Sequence, residues 1–205
     1  GGGNVQRYDG GALSTPMPTT VPSAAEFFDL AVVSPAAAWM VGRHASMFAV
    51  AYWNGINWSL VPAPAVAGTL TKVVAGARVW VQGNGRIYET AGMQPDGGVA
   101  WQDLNVPAGM GNTLMALTPT TLLSAGSSGV SRRDGLGGCW VRESNTSIYV
   151  LGGGHGLVIG IDGSNRPISR SPTGTWSISS VTVPNGSYPL PFALGTSSWV
   201  LGPEG

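Results

Sequence analysis

The chain has 205 residues, enough for one domain with a sizeable core, and its ten basic residues balance its ten acidic ones. Only 10% of the residues are charged and Lys72 is the single lysine, which argues against a nucleic-acid partner because such a partner needs a positive field. No apolar stretch is long enough to cross a bilayer, so no membrane insertion is expected, and the lone cysteine, Cys139, excludes an intrachain disulfide.

The predicted elements are short β-strands that follow one another along the whole chain. Apolar, β-rich runs alternate with turns that contain Gly, Pro, Asn or Asp, and the 32 glycines and 15 prolines are spread evenly enough to supply those turns. No window carries a sustained helical period of 3.6 residues. The pattern therefore predicts an all-β fold.

Two sequence markers recur in phase. The first is a turn that ends in glycine and is followed by a tryptophan that opens a strand, with leucine replacing the tryptophan in the weakest copy. Its copies are Leu13, Trp58, Trp101, Trp140 and Trp176, at steps of 36 to 45 residues. The second is a strand that ends in glycine, and its copies end at Gly42, Gly83, Gly126, Gly160 and Gly202. A period near 40 residues with about four short strands per unit is typical of propeller blades.

The repeat predicts a single domain over residues 1–205, a five-bladed β-propeller with four antiparallel strands, A to D from the axis outwards, in each blade. The approximate blades are 27–65, 66–110, 111–145, 146–186, and 187–205 joined to 1–26. The last strands of the second and fourth blades are predicted at Trp101–Val106 and Trp176–Val183.

The fifth blade is predicted to be shared by the two ends of the chain. Its inner strands would be Leu190–Leu194 and Ser198–Leu201, and its outer strands Val5–Tyr8 and Ala12–Thr15. Such sharing would close the ring and protect sheet edges that an open ring leaves exposed. On this reading little or nothing of the domain is missing.

Blade one carries the clearest form of the repeat, in Ala38–Gly42 and Tyr52–Trp58. This unit resembles the Trp and Asp-Gly-x-x-Trp repeats of secreted and surface proteins of myxobacteria. Ser169–Trp176 also resembles a degenerate Asp-box turn, although the aspartate of that motif is missing. The resemblance implies architecture and a secreted, cell-surface or virion-surface location, and it implies neither a ligand nor a catalytic residue.

The sequence argues against an enzyme. A glycosidase needs two carboxylates that face one bond, yet the predicted inner strands of blades two to five contain no Asp or Glu. Only Asp29, with Glu26 just before it, lies near an inner strand. His44 and His155 are predicted in turns on opposite faces, so no metal site and no cofactor are expected.

Three further features have structural interpretations. The four repeat tryptophans are predicted to staple each blade to its neighbour. Gly152–Gly156 joins two apolar strands without a following helix, so it is predicted to be a tight turn and not a phosphate-binding loop. Cys139 adjoins a stapling tryptophan and is expected to be a buried, inert thiol.

The first functional hypothesis is a lectin-like or adhesin-like module that binds glycans in shallow sites repeated around the ring. The alternative is a structural or interaction module, in a fibre, phage tail or surface assembly, that a protein partner grips; the unequal blade spacing favours this alternative. Oligomers are possible under either hypothesis.

The candidate ligand-binding residues lie mostly in the turns between strands B and C, which should share one face with the connections from strand D to the next strand A. They offer the donors and acceptors that hydroxyl-rich ligands need. They are Arg43, His44, Asn84, Arg86, Ser127, Ser128, Asn165, Arg166 and Glu204, the last with Asn4.

A position on strand C, two residues before the C–D turn glycine in the clearest copies, carries a flat side chain in each blade. The residues are Tyr8, Trp53, Tyr88, Arg133 and Arg170. Flat groups stack either on a neighbouring tryptophan or on the apolar face of a sugar, and both possibilities are open. Trp53 is the best ligand candidate, because Trp39 and Trp58 already fill the repeat positions of blade one.

Overall fold

The computed structural model describes residues 19–94, 97–135, 137–154, 157–183, 190–194 and 197–201. This part of the chain contains β-strands and turns and no helix. The chain divides into two compact units, Gly1–Leu104 and Asn105–Gly205.

The first unit contains two four-stranded antiparallel sheets, in each of which neighbouring strands follow chain order. The first sheet is β1 (Glu26–Ser34), β2 (Ala37–His44), β3 (Met47–Trp53) and β4 (Trp58–Val61). The second sheet is β5 (Leu70–Ala75), β6 (Val79–Gly83), β7 (Arg86–Thr90) and β8 (Gln102–Asp103).

The second unit contains two more sheets of the same kind and a hairpin. The first is β9 (Thr113–Thr118), β10 (Thr121–Gly126), β11 (Gly129–Asp134) and β12 (Trp140–Ser144). The next is β13 (Ile148–Gly154), β14 (Leu157–Asp162), β15 (Pro167–Arg170) and β16 (Trp176–Ile178). The hairpin is β17 (Leu190–Leu194) with β18 (Ser197–Leu201).

The predicted all-β class and the four antiparallel strands per repeat are confirmed in four sheets, an arrangement consistent with propeller blades. The blade number of five and the closure of the ring stay predictions, as do the single domain and its blade boundaries. The predicted outer strands Val5–Tyr8 and Ala12–Thr15 lie outside the described residues. Within the described residues, the fifth repeat contributes the two strands β17 and β18.

Two outermost strands are shorter than predicted. β8 covers Gln102–Asp103, where Trp101–Val106 was expected, because Asn105 adopts a positive φ of 48° that turns the chain out of the extended conformation. β16 ends at Ile178, where the prediction ran to Val183. The amide of Val181 there donates to the hydroxyl of Ser179, a local turn that competes with strand pairing.

The core of the first unit lies between its two sheets. Fully buried side chains of β2 and β3, such as Val41 and Val50, cluster with Val73 and Val81 of the second sheet. Asp29 of β1 adds a polar link, because its carboxylate accepts a 2.8 Å hydrogen bond from the backbone amide of Val73. Burial on both faces explains why β2, β3 and β6 are apolar without strict alternation.

The repeat glycines on the second strands of the first two sheets, Gly42 on β2 and Gly83 on β6, are required for a steric reason. A Cβ on Gly42 would overlap the carbonyl oxygen of Glu26, and a Cβ on Gly83 would overlap that of Thr69. Neither glycine has a positive φ, so the close approach of the neighbouring backbone is what excludes a side chain here.

The stapling role is confirmed for two of the repeat tryptophans. The indole Nε1 of Trp101 donates to the carbonyl of Pro62, in the preceding repeat, at 2.7 Å. That of Trp176 donates to the carboxylate of Glu143, again in the preceding repeat, at 3.3 Å. Each ring therefore ties its own sheet to the one before it within one unit.

Two local predictions were wrong. Cys139 is exposed, because it lies in the irregular segment before β12 and not under the neighbouring tryptophan. The predicted turn Gly152–Gly156 is wrong for Gly152, Gly153 and Gly154, which form the end of β13 and pair with β14. The other two residues of that segment, His155 and Gly156, lie outside the described residues.

Candidate functional site

The turn between β2 and β3 lies against the connection that leads from β4 to β5. The amide of Gly68 donates to the carbonyl of Ser46 at 2.8 Å, and the amide of Phe48 donates to the carbonyl of Val66 at 3.0 Å. The side-chain amide of Asn84, in the β6–β7 turn, donates to the carbonyl of Ala67 at 2.7 Å. These bonds confirm that B–C turns and a D–A connection share one face in the first unit.

The same arrangement occurs inside the second unit. The amide of Ser128, in the β10–β11 turn, donates to the carbonyl of Gly109 at 3.1 Å. The amide of Val183, after β16, donates to the carbonyl of Asn165, in the β14–β15 turn, at 2.7 Å. The turn face is therefore a repeated feature of the fold.

The β2–β3 turn is strained in a way that its counterpart is not. Ala45 and Ser46 have φ values of 49° and 67°, which two-residue hairpin turns of type I′ require but which L side chains rarely adopt. The β6–β7 turn uses Asn84 and Gly85, the residues best suited to that conformation. Strain of about 1–3 kcal/mol per residue persists only where the surroundings enforce it, and such sites are enriched at functional positions.

Beside this strained turn lies an open cleft of about 350 Å³, here called the Met47–Leu60 groove. It forms because β4 ends at Val61 and the following residues leave β3, which the chain rejoins only at Val66. Its lining is His44, Ala45, Met47, Phe48, Ala49, Val50, Leu60, Val61, Ala63, Pro64 and Ala65.

The groove is apolar and nearly uncharged. Met47 and Leu60 are 43% and 36% exposed, although large apolar side chains usually lie inside a protein. His44 is the only ionisable residue in the lining. The sole aromatic ring, that of Phe48, is buried and packs edge-on against Tyr88 at 6.0 Å.

The sequence predicted His44 but missed Met47, Leu60 and the segment 62–65. A signal was present in Val-Pro-Ala-Pro at residues 61–64. Proline lacks the amide hydrogen that a strand ladder needs, so two prolines directly after a strand mark a place where pairing must stop.

The arginines among the predicted ligand-binding residues already have acidic partners. The ion pairs are Arg43–Glu26 at 2.6 Å, Arg86–Asp103 at 3.0 Å and Arg166–Asp162 at 2.8 Å. A ligand at any of these guanidinium groups would have to compete with the pair.

Asp162 organises the β14–β15 turn around itself. Its carboxylate accepts hydrogen bonds from the amides of Ser164 and Arg166 and from the guanidinium of Arg166. Burial raises the pKa of Asp162, but these hydrogen bonds outweigh burial and hold the pKa below its ordinary value. Asn165 completes the turn with a positive φ of 58°.

The remaining predicted residues differ in their surroundings. Ser127 is exposed and Ser128 is half-buried in the β10–β11 turn, which leaves the predicted ligand role of both open. Glu204, Asn4 and Tyr8 lie outside the described residues.

The flat side chains of strand C pack inside the sheets where the structure describes them. Trp53, Tyr88, Arg133 and Arg170 are all buried. Trp53 is only 7% exposed, lies 5.8 Å from the ring of Trp58 and donates its Nε1 hydrogen to the carbonyl of Pro35 at 3.0 Å. Little of its ring is therefore open to a ligand, and stacking within the sheet accounts for it.

Other kinds of site find no support in the described part of the chain. No group of three or more His, Cys, Asp or Glu side chains there could hold a metal ion. None of its elements is a helix that is long and apolar enough to span a membrane.

Comparison with solved structures identifies β-propeller neighbours. A structure described as YCF48 bound to D1 peptide shares 15% identity with a TM-score of 0.57, over 76% of this chain and 54% of its own. YCF48 from Cyanidioschyzon merolae shares 18% identity with a TM-score of 0.58, over 80% of this chain and 58% of its own. A Lactobacillus plantarum protein shares 12% identity with a TM-score of 0.57, over 88% of this chain and 60% of its own.

The chain thus spans less than two thirds of each neighbour, and identities this low concern the fold alone. No protein-family model matches the sequence, and no curated protein does. The resemblance to myxobacterial repeats and to the Asp-box therefore gains no family match.

Proposed function

We propose that this chain is a protein-binding module and that the Met47–Leu60 groove receives an apolar segment of its partner. The observation that supports this proposal is the groove itself. It leaves Met47 and Leu60 exposed beside a strained turn, and burying each such side chain on binding contributes about 1–2 kcal/mol at the usual area coefficient. The coarse fold likeness to a propeller that was solved with a peptide is consistent with this class of partner.

The chemistry of the groove favours a peptide over a glycan. Sugars are usually held by open aromatic faces and by several polar groups, whereas this lining offers one buried ring and one polar side chain, His44. Glycan recognition stays a prediction of the sequence, as does a non-catalytic role on a cell or virion surface.

A second apolar surface lies on β1, where Phe28, Leu30 and Val32 are exposed on one face. The opposite face, with Asp29 and Ala31, packs toward the second sheet. In a closed five-bladed ring the exposed face of β1 would meet the fifth blade. Ring closure stays a prediction of the sequence that would use this stripe, and the groove is therefore the surface that we propose for partner binding.

The test is to select peptides from a random phage-displayed heptapeptide library with the 205-residue chain and to measure the binding of the synthetic peptides recovered. We expect uncharged, apolar peptides, and Met47→Glu should weaken them at least about tenfold, or about 1.4 kcal/mol. Ile56→Glu is the matched control, because Ile56 is an apolar side chain that is even more exposed than Met47 but lies in the turn beyond the other end of β3.

An equal effect of both substitutions would contradict the assignment of the groove. Recovery of no peptide, together with specific binding on a glycan array, would replace the proposal by the lectin hypothesis.

A further inference from the structure

The outer edge of β4 already pairs with an extended piece of this chain. Thr19 forms a parallel bridge with Trp58, and the amide of Thr20 donates to the carbonyl of Trp58 at 2.9 Å. The other edge of β4 pairs with β3. The edge that faces away from β3 is therefore able to accept an added strand.

That pairing stops after one residue. The amide of Val21 donates to the hydroxyl of Thr19 at 3.0 Å, and Pro22 has no amide hydrogen to give. The chain thus turns away from β4 before it reaches Leu60.

Among the described residues, none therefore pairs with the outer edge of β4 at Leu60. Backbone groups two residues apart on a strand face the same side, so the amide and carbonyl of Leu60 point outward like the carbonyl of Trp58. Within the described residues, no hydrogen bond reaches these two groups. The side chain of Leu60 meanwhile lines the groove.

We propose that the partner binds by strand addition at this point, an inference that rests on the protein-binding function proposed above. An extended peptide lies along β4, and one of its residues exchanges two backbone hydrogen bonds with Leu60. Directly opposed residues of an antiparallel pair have side chains on the same face. The side chain of that peptide residue therefore enters the Met47–Leu60 groove next to Leu60.

This mode specifies the chemistry of the occupant. The residue opposite Leu60 must carry a backbone N–H, so proline is rejected at that position. Its side chain is apolar and uncharged, because the groove offers no charge partner beyond His44, and Arg43 is already paired with Glu26. A glycan or lipid chain has no backbone amide to complete the pair.

The peptide side of the test is an N-methyl scan of the synthetic peptide recovered from the heptapeptide library, with the wild-type protein. Methylation at the residue opposite Leu60 should lower affinity about tenfold, and methylation at its two neighbours should have less than about a twofold effect, because their amides point away. A uniform response along the peptide would overturn strand addition while leaving the protein-binding function intact.

The second part of the test uses variants of the protein and compares the peptide affinities of Leu60→Pro and Leu60→Val. Both substitutions shorten the Leu60 side chain that lines the groove, but only proline removes the outward N–H, at an edge strand that tolerates it. The proline variant should therefore bind the peptide about tenfold more weakly than the valine variant, and equal affinities of the two variants would contradict strand addition. If the proline variant has lost its melting transition, the N-methyl scan alone decides. If the library yields no peptide at all, both the function and the mode of binding fall.

Discussion

Replacing Glu143 by glutamine removes the centre of a buried ion-pair cluster in the second unit. The Glu143 carboxylate contacts the guanidinium of Arg170 at 2.6 and 2.7 Å and that of Arg132 at 3.1 Å, and it accepts from Trp176 at 3.3 Å. The side chains of Glu143 and Arg170 are only 9% and 7% exposed. The cluster links β11 and β12 to β15 and β16.

The size of the expected destabilisation by Glu143→Gln follows from the burial of this ion pair. Glutamine is isosteric but neutral, so it leaves the buried Arg170 charge without the anion to which it is hydrogen-bonded. Removal of one partner from a buried pair costs about 3–5 kcal/mol, and we expect about 3 kcal/mol because the substitution preserves shape. For a chain of this size, that corresponds to a fall in Tm of roughly 10 °C.

The effect should also depend on pH. Burial raises the pKa of Glu143, but hydrogen bonds from Arg170 and Trp176, with the charges of Arg170 and Arg132, outweigh it and hold the pKa below the ordinary 4.5. A carboxyl with a depressed pKa stabilises the fold fully above its unfolded-state value and loses that contribution as pH falls through the folded value. The stability gap between wild type and Glu143→Gln should therefore be full at pH 7 and shrink below pH 4.5.

The assay is chemical denaturation of both proteins at pH 7 and across the acid range, with Glu26→Gln as the control. Glu26 also pairs with an arginine, Arg43, but its side chain is 39% exposed, so its loss should cost at most about 1 kcal/mol. Equal costs for the two substitutions, or a gap that widens in acid, would refute the reasoning.

Two further substitutions test the fold. Gly42→Ala should lower the free energy of unfolding by about 3 kcal/mol in thermal melting, because the added Cβ would overlap the backbone of Glu26. Gly76→Ala is the control and should be nearly neutral, because a Cβ at Gly76 has no atom within 4 Å. Similar melting of the two variants would contradict the steric role. Leu30→Ser should cost about 2 kcal/mol in denaturant unfolding if the predicted fifth blade covers β1, while Ile56→Ser should cost far less. A neutral Leu30→Ser would argue against ring closure.

The strands and their order could be predicted from sequence because their causes are local. Apolar runs bounded by turn residues predict strands at Met47–Trp53, Val79–Gly83 and Arg86–Thr90, and these are the bounds of β3, β6 and β7. The in-phase glycines repeat because the second strand of a sheet passes very close to the backbone of its first strand, as the contact of Gly42 with Glu26 illustrates. The in-phase tryptophans repeat where a ring bonds to the preceding repeat of the same unit, as the hydrogen bond of Trp101 to Pro62 illustrates. A constraint that recurs in every repeat leaves a period in the sequence.

The candidate site required tertiary structure because its causes are not local. Arg43 offers a donor in the sequence, but Glu26, 17 residues away, already pairs with it across β1 and β2. Cys139 was expected to be buried from its neighbour alone and is exposed. The Met47–Leu60 groove exists only because the residues after Val61 leave one strand and return to it at Val66, so its shape depends on where chain segments meet in space and not on the residues themselves.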